Sequence, residues 1–174
     1  MGVEIERKFL LKNGDWRKFV TMSSRIRQGY MQNDAHATVR VRLIDDEAYL
    51  TLKAPRSASG VTRLEYEYPI PAEDANGLLD TICTPPLIEK IRHYIPAENG
   101  LMWEIDEFFG DNAGLVVAEL ELPAEETPYI RPDWLGEEVT GDIRYYNSNL
   151  IKNPYSRWKN GGIDQIRFRA SMSA

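Results

Sequence analysis

Polar and apolar residues alternate with a period of two through most of the first 122 positions, the pattern of short strands with one apolar and one polar face. The segments are 3–11, 25–32, 38–44, 48–54, 62–69, 87–95, 101–109 and 115–122. Turn-forming stretches separate several of them. "QNDAH" follows the second, "IDDE" joins the third and fourth, "PRSASG" follows the fourth and "PAENG" the sixth. "NGDWRKFV" predicts a short helix after the first strand. "PAEDANGLLDTI" predicts a longer one before the sixth, with Pro71 near its start and acids in its first turn. Beyond Pro123 the alternation stops, and "RPDWLGEEV" and "YYNSNLIKNP" predict short helices. One domain spans 1–158, and residues 159–174, rich in glycine at their start, read as a loosely held tail. Eight strands with short connections predict a mainly β, α+β architecture: a closed or nearly closed antiparallel barrel with flanking helices.

The polar positions carry full charges. Glu4, Glu6 and Lys8 share one face of the first strand; Ile5 and Phe9 share the other. Arg40 and Arg42 oppose Val39, Val41 and Leu43, and Lys53 opposes Leu50 and Leu52. Arg63, Glu65 and Glu67 oppose Leu64, Tyr66 and Tyr68; Lys90 and Arg92 oppose Ile91. Glu104 and Asp106 oppose Trp103 and Ile105, and Glu119 and Glu121 oppose Ala118, Leu120 and Leu122. A charged face on a single strand is usually solvated. Seven such faces, holding seven basic and eight acidic positions, are unusual for a solvated sheet. If the sheet closes, the charged face is the inside, and an eight-stranded barrel has room there for one small ligand.

Buried charges need partners. The arginines and lysines suit an anion with several oxygens, through forked guanidinium donation and ammonium point charges. The carboxylates suit a hard divalent cation, Mg²⁺ or Mn²⁺. Both sets in one tunnel suit a metal-complexed polyphosphate.

Composition adds limits. The chain has 174 residues, 43% hydrophobic and 28% charged, an ordinary globular balance. A net charge of -6 argues against nucleic-acid binding by bulk electrostatics. The single cysteine, Cys83, allows no intrachain disulfide and fits a reducing compartment. No apolar run reaches membrane-spanning length. The expectation is a soluble cytoplasmic protein without a membrane or nucleic-acid partner, and a homodimer is as compatible as a monomer.

"EIERK" at residues 4–8 resembles the ExExK signature of the CYTH superfamily, the triphosphate tunnel metalloenzymes. The order of further motifs is similar too: "RQGY", "VRVRL", "LTLK", "RLEYEYPI", "EKIRHY", "WEIDEFFG", "AELELP" and "WLGEEVTGDIRYYNSNL". The resemblance runs from Val3 to Pro154 and is closest to the small bacterial single-domain members. It implies an eight-stranded tunnel binding a small-molecule triphosphate with Mg²⁺ or Mn²⁺. It implies that Lys8, Arg40, Arg42, Lys53, Lys90 and Arg92 bind phosphate, and Arg63 shares their lumen face. Lys8, Arg40, Arg42 and Lys53 are the expected catalytic residues. Glu4, Glu6 and Glu121 would bind the activating metal, with Glu119 or Asp106 near a second. The segment "YYNSNLIKN" would plug or flank one mouth.

Family members catalyse several reactions. The leading expectation is metal-dependent hydrolysis of inorganic triphosphate to pyrophosphate and phosphate, with Lys53 either orienting and deprotonating water or serving as one more phosphate ligand. The alternatives are adenylate cyclisation of ATP, thiamine or nucleoside triphosphate hydrolysis, and non-catalytic polyphosphate binding. Trp16, Trp103 and Trp134 are potential ring platforms for thiamine, but such residues are more often core. His36 reads as a solvated loop residue and His93 as facing away from Lys90 and Arg92.

Overall fold

Nine strands account for nearly half of residues 2–158, which the computed structural model describes. They are β1 (Gly2–Leu11), β2 (Met22–Asn33), β3 (Thr38–Ile44), β4 (Glu47–Lys53), β5 (Thr62–Ile70), β6 (Thr84–Pro96), β7 (Met102–Phe108), β8 (Val116–Glu121) and β9 (Leu135–Glu138). Two α-helices, α1 (Ala72–Thr81) and the single-turn α2 (Asn147–Leu150), interrupt them. The expected tail lies outside the described residues. The sheet order is β5-β4-β3-β2-β6-β7-β8-β1-β9, and β5 pairs back onto β1, so eight antiparallel strands close into a barrel. Val3 opposite Leu64 and Ile5 opposite Thr62 make the closing seam. The expected barrel is therefore present, and each of the eight predicted strands forms.

Residues 131–139 were expected to be helical and are not: Leu135–Glu138 is the ninth strand. The reason is an open edge. β5 covers β1 only over Gly2–Ile5, which leaves the backbone of Phe9–Leu11 without a partner on that side. β9 fills it, with Lys12 N donating to Trp134 O at 2.8 Å and Val139 N to Lys8 O at 2.8 Å. Gly136 permits the approach, since a Cβ there would lie 2.8 Å from Leu10 O. Four residues, Leu-Gly-Glu-Glu, are too few to show a period of two.

Outside the barrel, the apolar faces are covered in two regions. α1 packs Ala75 and Leu79 against Val41, Ala48 and Cys83. A larger core joins Phe9, Ile105, Ala118 and Leu120 to Trp103, Trp134 and Trp16, the last on a short 3₁₀ helix, Asp15–Phe19. Irregular chain over 123–134, more than helix, supplies this cover. The outer face of β5 is left open: Leu64 is 43% and Tyr68 53% exposed. The flanking helices therefore do not cover every apolar outer face.

Inside, the charged alternation holds on seven strands and is absent from β2. There Arg25 and Arg27 face outward, Arg27 reaching Asp80 of α1 at 2.6 Å, while buried Ser24, Ile26 and Gln28 face in. Toward one end the inward positions turn apolar. Leu10, Ile88, Phe108 and Val117 pack there with Leu150 of α2 and Tyr145, so the tunnel has one plugged end and one open mouth. The expected plug by "YYNSNLIKN" takes this form.

Candidate active site

Strand geometry alone aims the site residues inward, because positions two apart share a face. One charged cavity of about 160 Å³ is lined by Glu4, Glu6, Lys8, Arg40, Arg42, Lys53, Arg63, Lys90, Arg92, Glu119 and Glu121. Of the sequence-predicted site residues, Asp106 alone is not on its surface; it sits fully buried behind Lys90 and Arg92. Glu65, Glu67 and Glu104 also line the cavity, as their alternation predicts.

Opposite charges neutralise each other around the wall. Lys8 Nζ lies 2.9 Å from Glu119. Lys53 Nζ lies 2.6 Å from Glu4 and 2.6 Å from Glu65, and Arg63 Nε donates to the second oxygen of Glu4 at 2.8 Å. Arg42 meets Glu67 at 3.2 Å. Arg92 makes the densest set, with two bonds to Asp106 at 2.7 and 2.8 Å, one to Glu119 at 2.7 Å, and one to Glu104. Lys90 Nζ donates to Asp106 at 2.5 Å and to Asn147 at 3.1 Å.

The partner sets decide the protonation equilibria. Burial disfavours every charge here, and the neighbours either compensate or do not. Burial alone would raise Glu4, yet Lys53 and Arg63 hold it far below the usual carboxylate range. Glu119 is likewise held low against burial by Lys8 and Arg92. Asp106 is held low against burial by Arg92 and Lys90. Glu6 is compensated only in part by Lys8 and Arg56, and Glu121 only in part by Lys53. Burial and then Glu119 push Glu6 up; burial and then Glu4 and Glu104 push Glu121 up. Among the cations, burial and Arg40 lower Lys53. Burial lowers Lys90 to about 8, with Arg92 adding to it, and lowers Arg42 to about 10.

Two features suit added ligands. The buried Nε atoms of Arg40, Arg42 and Arg56 have no hydrogen-bond partner, so donors remain for an anion. Glu6 and Glu121 are direct cross-strand partners, both raised by burial and then by nearby acids, and Glu4 adjoins them along β1. A divalent cation would relieve that crowding, so the donor set fits one. Among the described residues no three carboxylates converge on a point, because Glu4 is turned onto Lys53 and Arg63.

Sequence reasoning missed Arg56. It comes from the β4–β5 loop, where no alternation marks it, and it is the eighth basic residue of the cavity. Its guanidinium lies 4.8 Å from the Tyr146 ring centre and 3.5 Å from Glu6. The loop is pressed against the chain after β9. A Cβ on Gly60 would lie 2.5 Å from Gly141 Cα, and both glycines have positive φ. Tyr146, Asn147 and Ser148 line the cavity from the same C-terminal stretch. Tyr30 reaches the lumen, as its place after "RQG" allows. His93 faces outward, packed on Trp16 and bonded to Ser23 and Glu107.

Residues 2–155 match the CYTH domain family. Over 159 residues the chain is 50% identical to the inorganic triphosphatase of Acetivibrio thermocellus, covering 91% of this chain and 99% of that protein. It is 33% identical over 150 residues to the inorganic triphosphatase of Nitrosomonas europaea, covering 84% and 95%. The crystal structure of the inorganic triphosphatase NE1496 superposes with a TM-score of 0.59 at 32% identity, over 87% of this chain and 95% of that one. With the match running through every strand of the barrel and every inward charge, the chain belongs to the CYTH domain family.

Proposed function

We propose that this protein hydrolyses inorganic triphosphate to pyrophosphate and phosphate, with Mg²⁺ or Mn²⁺ as its divalent cation. The observation that carries the reading is a cavity closed at one end and lined by eight basic residues facing seven acids. The relatives named inorganic triphosphatases support it. The CYTH triphosphatase family is metal-dependent in general. Glu4, Glu6 and Glu121 would hold the cation, which when bound supplies charge neutralisation to the phosphate chain.

The protein's own groups do the rest. Arg40, Arg42 and Arg56 offer unpaired Nε donors to phosphate oxygens. Lys8, Arg63, Lys90 and Arg92 exchange carboxylate partners for phosphate as the substrate enters. Asp106 and Glu119 orient Lys8, Lys90 and Arg92; Asp106, off the cavity surface, is a counter-ion, while Glu119, on it, would stand near a second cation. Water attacks a terminal phosphorus, the bridging P–O bond breaks and pyrophosphate leaves. Lys53, lowered by burial and Arg40 and fixed between Glu4 and Glu65, takes the water's proton in its neutral form. Positioning and charge supply most of the acceleration.

Inorganic triphosphate is favoured over its esters by the shape of the site. The cavity is small, below the roughly 300–1,000 Å³ of pockets that enclose drug-sized ligands. Its plugged end leaves a substituent nowhere to go inward. Trp16, Trp103 and Trp134 all belong to the outer core and offer the lumen no ring platform.

The test is a product assay with Mg²⁺ and with Mn²⁺ on inorganic triphosphate, ATP and thiamine triphosphate. Phosphate released fastest from inorganic triphosphate, and lost in Glu4→Ala/Glu6→Ala, supports the reading. Cyclic AMP from ATP, or faster release from thiamine triphosphate, overturns it.

A further inference from the structure

The opposite side of the β6–β7 wall carries a second cavity, about 810 Å³ and so five times larger than the lumen. Ile95 and Trp103, cross-strand partners, form its floor; Glu104, one residue along, turns the other way into the lumen. The two sites are therefore separated by the thickness of one sheet. Trp103 sets its ring edge-to-face on Trp134 at 5.6 Å and on Tyr129 at 6.1 Å, which fixes an aromatic wall. Phe19, 55% exposed, lines it from the 3₁₀ helix. Its size falls within the range of enclosed small-molecule sites, roughly 300–1,000 Å³.

Charge selects among apolar ligands. At the rim Lys18 is occupied by Asp15 at 2.6 Å, which leaves no free cation there among the described residues. Glu98 and Asp133 also line the cavity, and their carboxylates have no hydrogen bond or ion pair among the described residues. An apolar ring loses water against the aromatic wall, while two unpaired carboxylates attract a positive charge. Trp103 and Trp134 are nearly fully buried, so the rings left to meet it are those of Tyr129 and Phe19.

We propose that this outer cavity binds a small organic cation: a ring or compact apolar body carrying an amine or quaternary nitrogen. The site repels anions by the same charges, so it does not compete with phosphate binding in the lumen.

The experiment is calorimetric titration of the full chain with N-methylquinolinium and, in parallel, with 1-naphthalenesulfonate. Saturating inorganic triphosphate and a chelator are present to fill the lumen without turnover. The expected result is saturable binding of the cation, at least about tenfold tighter than the anion. In Glu98→Gln/Asp133→Asn that preference disappears, while triphosphate hydrolysis is unchanged. Phe19→Ala weakens both probes. No saturable heat with the cation, an unchanged preference in the charge-neutral variant, or displacement by triphosphate would each overturn the proposal.

Discussion

Lys53 Nζ stands 2.6 Å from Glu4 Oε1, although their strands, β4 and β1, are separated by β5. Only closure of the barrel brings them together. The pair is buried, and Arg63 depends on the same carboxylate. Glu4→Gln strips Lys53 and Arg63 of a shared charge and is expected to cost about 3 kcal/mol at neutral pH. Urea denaturation measures it. Glu4 is held far below its ordinary value of 4.5, so its stabilisation is present above that pH and is lost as pH falls. The gap between wild type and variant therefore narrows below pH 4.5; a constant gap would show that the charge is not the cause.

Glu6 and Glu121 are raised by burial and by neighbouring acids, a strain that a divalent cation relieves. Mg²⁺ or Mn²⁺ at a hundred times its dissociation constant is expected to stabilise the fold by about 2.7 kcal/mol. That corresponds to a rise in melting temperature of roughly 5–11 °C for a chain of this size. Differential scanning calorimetry with and without a chelator reads it. Glu6→Gln abolishes most of the shift.

Lys90, lowered by burial to about 8, is charged at pH 7 and neutral at pH 9 before substrate binds. Triphosphate affinity in the presence of a chelator is expected to fall by about tenfold between those pH values. Lys90→Arg, which keeps its charge, flattens the profile. The sign for stability is opposite. A lysine charged in the unfolded chain up to 10.5 but neutral in the fold above 8 makes stability rise with pH across that window.

Arg56 donates to Gly60 O at 3.1 Å, and its closest carboxylate, Glu6, lies 3.5 Å away. Arg56→Ala is expected to raise KM for triphosphate by about tenfold or more, the scale of one charge-assisted hydrogen bond, with a smaller change in kcat. Steady-state kinetics separates the two. An unchanged KM would remove Arg56 from the substrate site.

Gly60→Ala tests what delivers Arg56. The added methyl meets Gly141 Cα at 2.5 Å and demands positive φ of an alanine, so the β4–β5 loop must retreat. The expected cost is at least about 1 kcal/mol, with a KM change in the same direction as Arg56→Ala. Loss of stability with wild-type KM would show that the loop does not position the guanidinium.

The inward charges were legible because a strand turns every second residue the same way. Glu4, Glu6 and Lys8 announce a shared face in the sequence, and so do Arg40 with Arg42 and Glu119 with Glu121. Arg56 was not legible, since a loop has no period. β9 was not legible either: its four residues pair because β5 stops short on β1, a property of the barrel's stagger and not of Leu-Gly-Glu-Glu.

By itself the sequence determined eight of the nine strands and which of their residues share the charged side, consequences of local backbone geometry. Whether that side faced water or a lumen was decided by the β1–β5 seam, a contact across some sixty residues. Tertiary structure alone also chose which carboxylates are neutralised. Glu4 and Glu119 found cations within bonding distance and are held low against burial; at Glu6 and Glu121 burial and then neighbouring acids prevail, and both are raised. Coulomb energy depends on separation in space, and separation along the chain says little about it once a sheet has closed.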